Sequence, residues 1–476
     1  MKRIGTTLGL VAFLAAACGG GSDGTVAGID AGGSPDPVAT NVVSSGAITG
    51  FGSIVVNDVH YDTSNAEIVV DGTVATQDAL AVGDVVVIQG TLSDDGTTGT
   101  ASNVTFDDAV EGPISAIDLA ASTLTVLGQL VHVDADTSFD DRISPASLEG
   151  LTVGDIVEVT GFLLADGSIG ATRIEPKAAG EEFEVTGQVA NLDAGALAFT
   201  LGGLTVDYSA AQLDDFPAGA PENGQLVEAK GTELGTAGEL LATRVEFKGD
   251  DRPGAAGDRI EVEGFITRFV SATDFDVEGV PVTTDSGTVY ENGSSADLAL
   301  NHKVEVEGVL DDSGTIVADE VELKQAGFIR IASTVESIGS DRLTVLGIEV
   351  RVDTSTRMED KTDAEVEPFT LANLAVGDFV EVRGFEDEEG VKATLLERED
   401  PDDEVELRGF VESASSPDFV VLGVTIRTDA GTVFRDVNDA VIDGPTFFGQ
   451  AEGHLVEADG TLANGIITAE EVELED

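Results

Sequence analysis

Two glutamates recur along this chain at fixed places. One stands three residues before a strand-ending glycine, at Glu158, Glu228, Glu305, Glu381 and Glu457. The other closes the following strand, at Glu175, Glu246, Glu322, Glu397 and Glu473. The first copy of the pattern has Val87 and Thr105 instead. Carboxylates paired near the base of a hairpin suit a hard divalent cation such as Ca²⁺, which takes about six to eight oxygens. The spacing is that of neither an EF-hand loop nor a Gly-rich calcium nonapeptide. The same alternation also describes solvated glutamate on an outer strand face, with valine turned inward.

Four histidines complete the chemical inventory. His60 and His132 lie in matching phrases, VHYD and VHVD, each two residues before an Asp. On one strand face such a pair can share a proton or a metal. A zinc site needs about three or four converging ligands, and no further His or Cys is near in sequence. His302 and His454 stand where other copies carry Asp84, Asp155 and Asp378, and read as turn residues. There is no Gly-x-Ser-x-Gly, no reactive cysteine, no recurring Ser/His/Asp set and no phosphate-cradling glycine loop with a lysine. The expectation is a protein that is not an enzyme, with Ca²⁺ as the one candidate cofactor.

Charge narrows the partners. Lys and Arg number 24 against 90 Asp and Glu, a formal balance of −66. That field repels nucleic acid and denies the chain a basic patch for anionic lipid headgroups. An apolar share of 42% is too high for a disordered acidic tail. With 57 Gly, 21 Phe, three Tyr and no Trp, the composition fits many short strands joined by glycine turns.

Those strands are organised by repetition. A strand ending in glycine recurs as VVVIQG, IVEVTG, LVEAKG, KVEVEG, FVEVRG and LVEADG, with its Gly at 90, 161, 231, 308, 384 and 460. A turn glycine follows at 96, 167, 238, 314, 390 and 465, and a phrase such as ATRIE, ATRVE or AEEVE closes the unit. Period-two alternation in LTVLG and VEV marks half-buried strands, and the joints Asn57-Asp58, Gly202-Gly203 and Glu278-Gly279 suit tight hairpins. Each unit reads as three strands, a Leu-rich turn and a two-strand hairpin. In roughly 65 residues that is the layout of a five-stranded OB-like small barrel. The expected fold is all-β, with six tandem OB-like barrels at 46–108, 112–175, 185–248, 262–323, 331–398 and 407–474. Neighbouring units should lean on each other most at the short joint 108–112.

The first residues supply an address. Met1-Lys2-Arg3 is basic, and Ile4 to Ala17 is an apolar run too short to span a bilayer. It ends in Leu14-Ala15-Ala16-Ala17-Cys18, which resembles a bacterial lipoprotein signal, although the leucine that family places three residues before the cysteine is Ala15 here. By that resemblance residues 1–18 are a signal peptide, Cys18 carries lipid, and Gly19 in the following place implies the outer membrane. Residues 19–45 read as a flexible tether, with a reach of about 25–30 Å as a Gly-rich coil. The membrane would be engaged through this anchor alone, with no transmembrane helix.

The phrases ITGFGSIVVNDVHYDTSNAEI (48–68) and LTVLGQLVHVDADTSFDD (124–141) resemble tandem domains of unknown function found in bacterial lipoproteins. The resemblance implies small barrels and a cell-envelope location, and no catalytic residue. Together these features point to a non-enzymatic envelope scaffold or display protein with a protein or polysaccharide partner. The alternative is a periplasmic module for divalent cations or cationic small ligands.

Overall fold

The computed structural model describes residues 40–93, 96–248, 254–325, 327–364, 366–387, 389–437 and 440–475. The expected signal peptide, Cys18 and most of the expected tether lie outside the described residues. The tether's last residues do not: they form the strand Thr40–Ala47.

Each repeat opens on a long strand, the second on Val110–Asp118. A tight hairpin follows, Thr123–Val126 against Gln129–His132. A 3₁₀ turn at Leu148–Gly150 then leads into the glycine-ending strand Ile156–Leu163, which pairs with Ile169–Pro176. The glycine-ending strand also pairs antiparallel with the opening strand. Gln129–His132 runs parallel to Ile169–Pro176 and curls the sheet back on itself. Valines on the inner face, Val157 and Val159 among them, are fully buried.

The recurring glycine has a steric cause. Beside Gly90, Gly161, Gly308, Gly384 and Gly460 the hairpin register shifts by one residue, as in a β-bulge. A Cβ there would lie 2.0 to 2.3 Å from a carbonyl oxygen of the partner strand. Only glycine lets the two backbones approach that closely.

The repeats are not separate barrels. The opening strand of each repeat pairs with the opening strand of another. Repeat two joins repeat three through Val110↔Val185, and repeat five joins repeat six through Ile331↔Leu407, both antiparallel. Repeat one joins repeat four in parallel, through Val42↔Arg259 to Ser45↔Val262. Three continuous 13-stranded sheets result. The architecture is therefore a β-solenoid of six tandem repeats, and the expectation of six independent OB-like barrels is overturned. The physical reason lies in the opening strand, whose outer edge would otherwise show unpaired N–H and C=O groups. Hydrophobic clusters follow the sheets: one spans repeats two and three, and another spans five and six. The short joint 108–112 does not bring repeats one and two into one sheet, and repeat one finds its sheet partner some two hundred residues away.

Contacts between sheets lock the body further. Arg173 of repeat two reaches Asp84 of repeat one (4.0 Å) and Glu359 of repeat five (3.9 Å). Arg383 of repeat five donates to the carbonyls of Ala135 (3.0 Å) and Thr137 (3.1 Å) in repeat two. Gly170 meets the Phe265 ring of repeat four so closely that a Cβ would come within 2.6 Å.

Candidate functional site

The ten recurring glutamates come together as five pairs. Glu158 faces Glu175, Glu228 faces Glu246, Glu305 faces Glu322, Glu381 faces Glu397 and Glu457 faces Glu473, each directly across a hairpin. Directly opposed like charges are unfavourable unless something lies between them. Cations of the chain do so. Lys177 lies 2.6 Å from Glu158 and 3.4 Å from Glu175. Lys248 lies 2.9 Å from Glu228, and Lys324 lies 2.7 Å from Glu305. Each of these lysines stands two residues beyond the second glutamate, on the same strand face. In repeat five Arg330 and Arg383 close on Glu381, at 2.8 and 2.5 Å. In repeat six Arg408 lies 3.9 Å from Glu457.

These are not solvated glutamates on an outer face. Glu158, Glu228, Glu305, Glu381 and Glu397 are all buried. Valine fills the interior of the repeat, while glutamate fills the contact with its neighbour. Their titration reflects that contest. Burial pushes Glu305 up to about 8 despite the opposing pull of Lys324. Burial likewise lifts Glu397 to about 7, against Arg383 and Lys361. For Glu381 burial is the largest single influence, yet Arg383 and Arg330 together outweigh it and hold the carboxyl down at about 2.

The seam between repeats two and three differs from the others. Glu158, Glu111 and Glu184 lie side by side on three adjacent strands, in one cross-strand row. From the first repeat, Asp108 at its end and Asp71 in the turn between the strands Glu67–Val70 and Thr73–Ala75 close in. Oxygens of Asp71, Asp108 and Glu184 lie within 4.8 Å of one another, as do those of Asp108, Glu111 and Glu158. Lys177 holds Oε2 of Glu158, and Lys230 holds Oε2 of Glu184 at 2.6 Å. Both carboxylate oxygens of Asp108, with Oε1 of Glu111 and Oε1 of Glu184, are buried without a hydrogen-bond donor. Burial, then the neighbouring Glu184 and Glu158, pushes the Asp108 carboxyl far above its ordinary value. Burial also raises Glu184 to about 9 and Glu111 to about 7.

The histidines take no part in this. His60 is exposed and hydrogen-bonds Ser53 at 3.2 Å. His302 and His454 are exposed at the turn before the glycine-ending strand. Among the described residues, none of the four joins a group close enough to share a metal ion. Sequence reasoning missed Asp71, Asp108 and Glu111, missed Glu184, whose place in the opening strand recurs as Glu261 and Glu406, and missed the cross-repeat cations Arg173, Arg357, Lys361 and Arg383. The signal that would have found the cations is scarcity: in so acidic a chain, a basic residue inside a Val/Ile-rich strand has a carboxylate to neutralise.

A crevice of about 570 Å³ opens where repeats one, two, four and five meet, with Phe265, Phe328, Asp134, Asp136 and Glu263 on its walls. Lys303 already sits over the Phe162 ring there, 5.1 Å from its centroid.

Six segments, residues 42–105, 111–175, 186–246, 263–322, 334–397 and 408–473, match the family described as a domain of unknown function, DUF5666. The chain belongs to this family. It consists of six DUF5666 repeats in tandem, and the glycine bulge and glutamate pair lie inside these segments. No curated protein matches the chain. A solved structure titled "drosophila Unr CSD456" is similar at 14% identity over 45% of this chain and 97% of that one, with a TM-score of 0.13. Among the described residues no helix is long and apolar enough to cross a membrane.

Proposed function

We propose that this chain is a non-enzymatic scaffold of the bacterial cell envelope, anchored to the outer membrane through lipid on Cys18 and presenting a rigid acidic surface to a protein or polysaccharide partner. One observation supports this most. The chemistry that recurs from repeat to repeat, the paired glutamates, is closed by the chain's own lysines or arginines, and of the five pairs only Glu305 and Glu322 border the crevice. Recurrence of that kind builds a body; it does not build an active site. The pairing of opening strands also means that the acidic surface is displayed in a fixed pattern, in contrast to beads on flexible linkers.

The test is metabolic labelling with an alkyne fatty acid, followed by membrane fractionation. The expected result is label and outer-membrane partition for the wild type, and loss of both in Cys18→Ser. An unlabelled wild-type chain recovered only in soluble fractions refutes the anchored scaffold.

A second reading, a site for a cationic small ligand, draws on the 570 Å³ crevice, where a ligand ammonium over Phe265 or Phe328 would repeat the geometry of Lys303 over Phe162. Spermidine should then raise the unfolding temperature beyond NaCl of equal ionic strength. Equal shifts dispose of it.

A further inference from the structure

The five carboxylates at the seam of repeats two and three lack the arginine that the equivalent seam places among its own. The two seams superimpose by register. Val110 opposes Val185 as Ile331 opposes Leu407, and Glu111 opposes Glu184 as Ala332 opposes Glu406. One residue earlier, repeat five has Arg330 and repeat two has Ala109. Arg330 reaches across its seam, 2.8 Å from Glu381 and 2.9 Å from Glu406. Ala109 can reach nothing comparable; the sister seam also gathers carboxylates, Glu406, Glu457 and Asp459, but there the Arg330 charge acts on all three.

The second observation is Asp108 itself. It is only 2% exposed, and neither of its carboxylate oxygens has a donor. It belongs to both groups of converging oxygens, so its side chain faces the Glu111/Glu158 pair and the Asp71/Glu184 pair at once. Lys177 and the buried Lys230 each hold one oxygen, Oε2 of Glu158 and Oε2 of Glu184, while Oε1 of Glu184 and Oε1 of Glu111 have no donor. Buried charge of one sign requires a counter-charge or a proton.

We propose that the seam between the second and third repeats holds one hard divalent cation of the Ca²⁺ class, bound by Asp71, Asp108, Glu111, Glu158 and Glu184 in the place that Arg330 fills between repeats five and six. Five carboxylates offer enough oxygens for the six to eight that Ca²⁺ takes, whereas Mg²⁺ keeps several waters and usually one or two carboxylates. The donor set is oxygen alone, with neither sulfur nor imidazole, which disfavours zinc. The ion would staple three repeats: the first, through Asp71 and Asp108, to the second and third. This site is separate from the five glutamate pairs as a class, since only Glu158 belongs to both.

The experiment is calorimetric titration of CaCl₂ into the full chain after EDTA treatment, at pH 7 and constant ionic strength, with thermal unfolding measured in parallel. The expected result is one Ca²⁺ per chain and a rise in unfolding temperature that NaCl does not reproduce. Asp108→Asn, close in shape to the native residue, should weaken binding by at least about tenfold and abolish the thermal shift. Ala109→Arg should place a guanidinium where Arg330 sits in the sister seam and make stability independent of Ca²⁺. Should Asp108→Asn fail to fold, Glu111→Gln and Ala109→Arg carry the same test. Absence of saturable Ca²⁺ binding overturns the proposal and leaves a proton shared within the cluster as its counter-charge. Several weak equivalents indifferent to Asp108→Asn overturn it equally, and point to the repeated glutamate pairs.

Discussion

Replacing Gly384 with alanine tests why the recurring glycine is there. The added Cβ would lie 2.0 Å from the carbonyl oxygen of Lys392, 2.9 Å from its carbon and 3.1 Å from Cα of Ala393. All three are backbone atoms of the partner strand, so no side chain can swing aside. An ordinary carbon–oxygen contact is about 3.3 Å, and the hairpin must therefore open by roughly an ångström. Overpacking of that kind costs about 1–3 kcal/mol, and displacing a ladder hydrogen bond adds about 1 kcal/mol. Losing a glycine from the unfolded chain returns about 0.4–1 kcal/mol, which leaves a net loss of about 1–3.5 kcal/mol. Gly347→Ala is the comparison. It sits at φ +74° in open space, and its cost of about 1–2 kcal/mol is purely conformational. Amide exchange in 379–399 reads the local opening free energy whether or not the six repeats unfold together. The reasoning fails if Gly384→Ala costs less than Gly347→Ala, or leaves exchange across that hairpin unchanged.

Three further outcomes are expected. Arg383→Ala strips the buried Glu381 of its nearest cation and frees two carbonyls of repeat two, and should cost about 3–5 kcal/mol in urea unfolding, with Arg383→Lys recovering part. In EDTA, stability should fall as pH rises from about 5 to 8. The folded state holds Glu305 protonated up to about 8 and Glu397 up to about 7, so it binds more protons than the unfolded chain across that window. Glu305→Gln should flatten the upper part of that slope, and the depressed Glu381 contributes only below the ordinary carboxylate range. Residues 327–475 expressed alone should unfold cooperatively by circular dichroism, because the two repeats share one sheet and one core, whereas residues 401–475 alone should not.

Much of the repeat was legible in the sequence, and little of its assembly. The glycine-ending strand announced six copies because five of its glycines sit at a bulge that admits no other residue and at Gly231 a Cβ would lie 2.6 Å from the Leu241 carbonyl oxygen; Asn57, Asp58 and Gly279 carry the left-handed φ values their residue types favour. The partners of the opening strands left no trace. Val110 and Ile331 read as inward-facing core whichever edge their backbones share, and nothing in Thr40–Ala47 names Arg259–Ser271 as its neighbour. Alternation misled at the glutamates for a related reason. Period two tells which residues share a face, but not whether that face meets water or another repeat. Asp108 was invisible on different grounds: it lies in a joint between repeats, outside every recurring phrase, and its burial comes from a seam that sequence order does not reveal.

The strand Thr40–Ala47 lies between Val85–Leu92, which it pairs with along its whole length, and Arg259–Ser271, which it pairs with over Val42–Ser45. A pull on the chain ahead of Thr40 therefore enters the molecule along a strand clamped on two flanks. The hydrogen bonds of such a strand stand across the line of force and are loaded together in shear, instead of being unzipped one at a time. The load is also divided at once between the first repeat and the fourth. Tension entering at Thr40 would thus meet a strand that resists shear in two repeats at once.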